Sequence, residues 1–133
     1  MKPGIKETFL VGAGGITGAL LRQGTNLLHQ SQFDQAGIFT AVFIENILGS
    51  FFIGFFYLIL IKRTNLNTRL NLFLITGLFG SYTTYSGFMT ESLLMIQESF
   101  LLFLGYMGLQ VFFGILAVIG GIKSGRVFKN RKK

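Results

Sequence analysis

Gly80-Ser81-Tyr82-Thr83-Thr84-Tyr85-Ser86-Gly87-Phe88-Met89-Thr90-Glu91 lies within an apolar run long enough to cross a membrane, yet it is crowded with glycine and hydroxyl residues that weaken a helix. In hydrocarbon an unsatisfied backbone group costs several kcal/mol, so irregular polar backbone survives only where it faces protein, water or an ion. The stretch therefore reads as a break in a membrane helix and as the functional centre of the chain.

Its surroundings support a membrane setting. Half of the 133 residues are hydrophobic, with 16 Phe, 18 Gly, a single Pro and no Cys. A soluble domain of this size carries more charge than the 13% present here. Without cysteine there is neither a disulfide framework nor a thiolate metal site. A transmembrane helix needs about 20 mostly apolar residues to cross a core roughly 30 Å thick. Four segments qualify, at approximately 8–28, 39–61, 70–96 and 100–122. The expected fold is an all-α membrane protein: a single four-helix transmembrane domain over residues 1–133, its third helix broken. The first run is glycine-rich and lacks a small-residue cleavage site, so it reads as a span and not as a cleaved signal.

Of the twelve Lys and Arg residues, all but Arg22 fall at the two termini or in the loop between the second and third spans. By the positive-inside rule both termini and that loop are predicted to lie in the cytoplasm. The basic excess is thus explained by topology without invoking nucleic acid. The run Lys129 to Lys133 also fits contact with acidic lipid.

Polar residues recur at helical spacing within the spans. Gly14, Gly18 and Arg22 share one face of the first, Asn46, Ser50 and Gly54 one face of the second, and Tyr106, Gln110 and Gly114 one face of the fourth. Each stripe has two readings: small and polar residues packing helices together, or donors lining a conduit, with Arg22 at the mouth of an anion-attracting vestibule. Their coincidence on three helices points to a shared polar track. Glu45 stands beside Asn46, and an ionised carboxylate in a membrane needs a partner, water or a proton. His29 is expected in the first loop. With one His and no Cys there is no metal-ligand cluster, no nucleophile and base set, and no phosphate loop, so enzyme chemistry is not expected.

Three segments then carry a resemblance: Gly14-Gly15-Ile16-Thr17-Gly18-Ala19-Leu20-Leu21-Arg22, Glu45-Asn46-Ile47-Leu48-Gly49-Ser50-Phe51, and Thr76 through Phe88. Together they resemble the Fluc/CrcB family of fluoride channels, the third being similar to the family pattern G-x-x-T-T-F-S-T-F followed three residues later by Glu91. The resemblance implies an antiparallel dimer of four-helix subunits with two fluoride pores. It also implies a central structural sodium ion, held by the backbone carbonyls of Gly80 and Thr83 from each chain. It assigns Tyr85 and Phe88 to the pore aromatics, with Ser86 and Thr84 beside them, and Asn46, Tyr106 and Gln110 to the polar track. Arg22 falls at the vestibule, while Glu91 and Ser50 are supporting polar groups. Aromatic ring edges carry partial positive charge and can meet an anion in a narrow pore. Against the pattern, Tyr85 replaces a Phe, Gly87 a Thr, Gln110 a small hydroxyl residue and Glu45 an apolar one.

The function expected is passive fluoride export across the cell membrane. A proton-coupled exporter of cationic compounds using Glu45, or a non-transporting assembly subunit, are the alternatives. The one-sided basic residues favour a partner of opposite orientation, hence a heterodimer with a homologous subunit in the cell, against the simple homodimer.

Overall fold

The computed structural model describes residues 4–32, 40–60 and 65–131. The elements are α1 (Ile5–Gln32), α2 (Ala41–Leu60), α3 (Asn65–Asn71), a π-helix (Leu72–Phe79), α4 (Gly80–Tyr82), α5 (Tyr85–Glu98) and α6 (Phe100–Asn130). The described residues contain no strand, and the chain is an all-α protein. Residues 39 and 61, the expected ends of the second span, lie outside the described residues.

Two of the helices, α2 and α6, are each long and apolar enough to cross a membrane. α1 has the length but carries Arg22, Gln23 and Asn26, and the third run is divided among shorter elements. Large apolar side chains such as Phe9, Tyr57, Leu101 and Phe112 stand exposed around the outside, a surface that suits lipid and not water. α6 runs well past residue 122: its 31 residues span about 46 Å, longer than a core of roughly 30 Å requires. Lys123, Arg126 and Lys129 therefore continue the helix beyond its apolar part.

Helix ends explain several boundaries. The Gly4 N–H donates to Glu7 Oε2 at 2.7 Å, so a first-turn carboxylate closes the start of α1. Thr40 caps α2 by accepting from the Phe43 N–H at 3.1 Å, and Ser99 caps α6 by accepting from the Leu101 N–H at 3.2 Å. α1 continues to Gln32, so His29 sits in its last turn and not in a loop.

Glycines set how closely the helices approach. A Cβ on Gly14 would overlap the Phe73 carbonyl oxygen and one on Gly18 that of Leu78, so α1 lies backbone to backbone against the π-helix. Between α2 and α6 the same holds for Gly54 against the Val118 carbonyl and Gly121 against that of Phe51. The chain has no room there for any side chain.

Candidate functional site

The third run changes character three times before it crosses the bundle. From Leu72 to Phe79 it is wound as a π-helix, a form concentrated at functional sites. One α-turn follows, and then Thr83 (φ −73°, ψ 149°) and Thr84 (φ −141°, ψ 117°) are extended. Asn46 on α2 holds this extended pair as a neighbouring strand would. Its Oδ1 accepts from the Thr84 N–H at 2.8 Å and its Nδ2 donates to the Thr84 carbonyl at 3.2 Å. Thr84 in turn caps α5, its hydroxyl accepting from the Gly87 N–H at 3.0 Å. Gly49 makes room: a Cβ there would overlap the methyl of Thr83. Gly87, where the family pattern has Thr, is filled by Thr84 Cγ2 and Val42 Cγ2, at 2.8 and 3.1 Å from where its Cβ would stand.

On one side of Thr84 a groove of about 400 Å³ brings together Asn46, Ser50, Tyr85, Phe88 and Gln110. Phe88 is 8% exposed and its ring centre lies 5.6 Å from that of Tyr106, which is fully buried. Ser92 donates to the Phe88 carbonyl at 2.7 Å within α5. Gln110 is 6% exposed, and neither its amide nitrogen nor its oxygen has a hydrogen-bond partner. Such a group is costly to bury without a partner. Tyr85 stands at the rim, 75% exposed in the single chain.

On the other side of Thr84 a second groove, of about 360 Å³, gathers Arg22, Asn26, Glu45, Ser86, Thr90 and Glu91. Thr84 lines both, and its hydroxyl is 3.2 Å from that of Ser86. Glu91 is held firmly: Thr40 and Tyr106 both donate to its Oε2 at 2.5 Å, tying α5 to the start of α2 and to α6. Tyr106 thus serves Glu91 with its hydroxyl and Phe88 with its ring, and it does not line the groove that Gln110 lines.

Gly80 and Thr83 precede Thr84 at the break, and Thr83 also lines the first groove. In a continued helix the Gly80 carbonyl would accept from the Thr84 N–H, which here turns to Asn46. It keeps only a 3.5 Å contact with the Thr83 hydroxyl, and Gly80 is exposed. Freed carbonyl oxygens of this kind suit a hard cation such as sodium. Among the described residues no three His, Cys, Asp or Glu gather as a metal site.

Thr40, Gly49, Gly121 and Gly125 are site or seam residues absent from the sequence-based set. The glycine pair was visible as a spacing of four on one helix face. Gly49 stands inside a segment that carries the resemblance but has no role readable there, and Thr40 gives no signal, because both roles depend on which residues meet them across the bundle.

An all-helical membrane protein with two grooves that meet at Thr84, each carrying a few polar groups, is the class that fold and site define. The family model described as "CrcB-like protein, Camphor Resistance (CrcB)" matches residues 9–122. A "Fluoride-specific ion channel FluC" of Flavobacterium psychrophilum is 38% identical over 120 residues, 89% of this chain and 95% of its own. One of the same name from Methanococcus maripaludis is 36% identical over 126 residues, 92% and 95% of the two chains. "Fluoride-specific ion channel FluC 1" of Listeria monocytogenes is 36% identical over 117 residues, 87% and 94%. The chain belongs to the CrcB family.

Proposed function

We propose that this chain is a subunit of a passive fluoride channel that carries the ion out of the cytoplasm across the cell membrane. It is a transporter and not an enzyme, as are the fluoride channels it is similar to. The observation that carries the reading is the groove at the break, where an unpartnered Gln110 amide, Ser50 and the Asn46 amide stand beside the Phe88 ring. Fluoride is small and strongly hydrated, and these donors, with aromatic ring edges, replace part of its water shell. Arg22 and the Ser86 and Thr90 hydroxyls on the second groove form the entry, with Thr84 between. Tyr106, through Glu91, positions the aromatic wall. The ion has no tight cage in either groove, which fits conduction, since a channel must also release what it binds.

The working unit in this reading is an antiparallel dimer. Gly80 and Thr83 of each subunit supply backbone carbonyls to one sodium ion between them, and that ion supplies a structural lock and no chemistry. The support is the Gly80 carbonyl released by Asn46. Both termini face the cytoplasm in a four-span topology, because the basic residues lie almost wholly on that side. One strongly biased sequence inserts in one orientation, so the partner in the cell is a homologous subunit with its basic residues in the opposite loops. A C-terminal reporter on the chain expressed alone should be found inside. A substantial external fraction, or full fluoride resistance without a second subunit, argues for the homodimer instead.

The channel itself is tested by reconstitution into liposomes loaded with fluoride, with chloride and a cationic dye measured alongside. Rapid fluoride efflux with neither of the others is expected. Dye efflux driven by a proton gradient would overturn the reading.

A further inference from the structure

Among the described residues, Glu45 and Tyr106 are the large side chains that are fully buried, and both carboxylate oxygens of Glu45 lack a hydrogen-bond partner. It lines the second groove, one residue along the chain from the Asn46 clamp. A carboxylate is an acceptor only, while a protonated carboxyl offers one O–H donor. Burying the ionised form with nothing to receive is among the costlier states a side chain can adopt.

The neighbours narrow what Glu45 does. From α1 it is faced by Arg22, and His29 stands farther along that helix on the adjoining groove with Glu98. From α5 it is faced by Glu91, whose Oε2 is already taken by Thr40 and Tyr106. The titratable groups of α6 and α4 in this part of the bundle are Tyr106 and Tyr82, with hydroxyls engaged by Glu91 and Thr25 respectively. The π-helix sequence LFLITGLF has none. Were Glu45 a fixed counter-ion of Arg22, at least one oxygen would be bonded to it, and neither is. A metal ion finds no third acidic or imidazole ligand among the described residues, and a guanidinium shares the groove. What remains is a small, exchangeable partner: a proton from water in the groove, and then the anion itself.

We propose that Glu45 is a proton-binding residue on the fluoride path, donating its O–H to the anion beside Arg22 when protonated and repelling it when ionised, so that flux rises as pH falls. This rests on the channel reading above. It gives the groove a donor in the acid state and a like charge in the alkaline state, with Arg22 attractive in both.

The test uses the full chain in fluoride-loaded liposomes, with efflux from protein-free vesicles subtracted because neutral HF crosses lipid unaided. Between about pH 8 and about pH 5, wild-type efflux should rise about fivefold, the order of one nearby unit charge at a partly hydrated site. Glu45→Gln keeps a donor without the charge, and its efflux should be flat and close to the wild-type acid value. Glu45→Leu, apolar as the family pattern has it, should also be flat but lower, since the donor is gone. If one variant fails to reconstitute, the wild-type slope and the other variant decide. Fast efflux that is independent of pH overturns the proposal and leaves the channel standing. A wild-type slope retained in Glu45→Gln overturns it in favour of His29 or Glu91. No efflux at any pH sinks the channel reading along with it.

Discussion

Where α2 crosses α6 at Gly54, Gly121 and Gly125, backbone lies against backbone. Toward Asn46 and Gln110 the same two helices, with α5 between them, leave about 400 Å³ and a buried amide with no partner. Val118 belongs to both regions, since it walls the groove and its carbonyl meets Gly54. Labour is thus divided along one helix pair. Lipid gives apolar side chains no reason to leave it for one another, so helices are held by close van der Waals approach, which small residues allow. That approach fixes the helix axes, and only then can polar groups elsewhere be left unsatisfied without the bundle closing on them.

The largest effect is expected at the seam. Gly121→Val places branched carbon where the Phe51 carbonyl already lies, and neither backbone can yield without moving a helix. The expected result is loss of a monodisperse folded species in detergent, read by size-exclusion chromatography and circular dichroism. A well-folded, conducting variant would show that the seam is not what sets the axes.

Asn46→Leu comes next. It removes both hydrogen bonds to Thr84, leaving the N–H unpaired and the carbonyl with only the 3.4 Å contact from the Phe88 N–H. Each stranded buried group costs about 1–3 kcal/mol. Denaturation in mixed micelles should reveal a loss of that size, and fluoride efflux should fall further than for any aromatic substitution. Asn46→Asp should rescue little, because it keeps an acceptor for Thr84 but loses the donor and adds a negative charge to the anion's route.

Within the groove the effect becomes local. Phe88→Ile keeps an apolar side chain but removes the ring edge, so efflux should drop about tenfold, about 1.4 kcal/mol at the barrier, with assembly unchanged. Unaltered efflux would remove Phe88 from the path and leave it as packing against Tyr106.

How much of this is legible in the sequence follows the same division. The apolar runs, the scarcity of charge and the glycine and hydroxyl stretch from Gly80 indicate a helical membrane protein, because they depend on local composition and period. The π-winding of Leu72–Phe79 is not legible in that way. It coincides with Gly77, whose Cβ position would lie 2.7 Å from the Val11 carbonyl oxygen, so a contact between two helices accompanies the change in winding. Thr40 and Tyr106 meeting on Glu91, and Gly49 yielding to Thr83, likewise require the bundle to be assembled first. Spacing placed Asn46 and Gln110 on polar stripes, but it carried no hint that one is doubly bonded and the other unbonded.

The smallest effect is also the sharpest control, since it makes a conservative change on the helix that carries Gly121. Gly108 in α6 has nothing within 4 Å of the position a Cβ would take, and it is exposed in the single chain. Gly108→Ala adds a methyl group into open space and restricts the unfolded backbone, a gain of about 0.5–1 kcal/mol in a helix interior. Unfolding in mixed micelles should therefore shift slightly upward, with efflux unchanged. A clear loss, approaching that at Gly121, would mean that another helix lies against Gly108 in the assembled protein. Glycines in α6 would then mark not only where α2 packs within the subunit but also where the second subunit does, and repeating the measurement at Gly114 would trace that contact along the helix toward the groove.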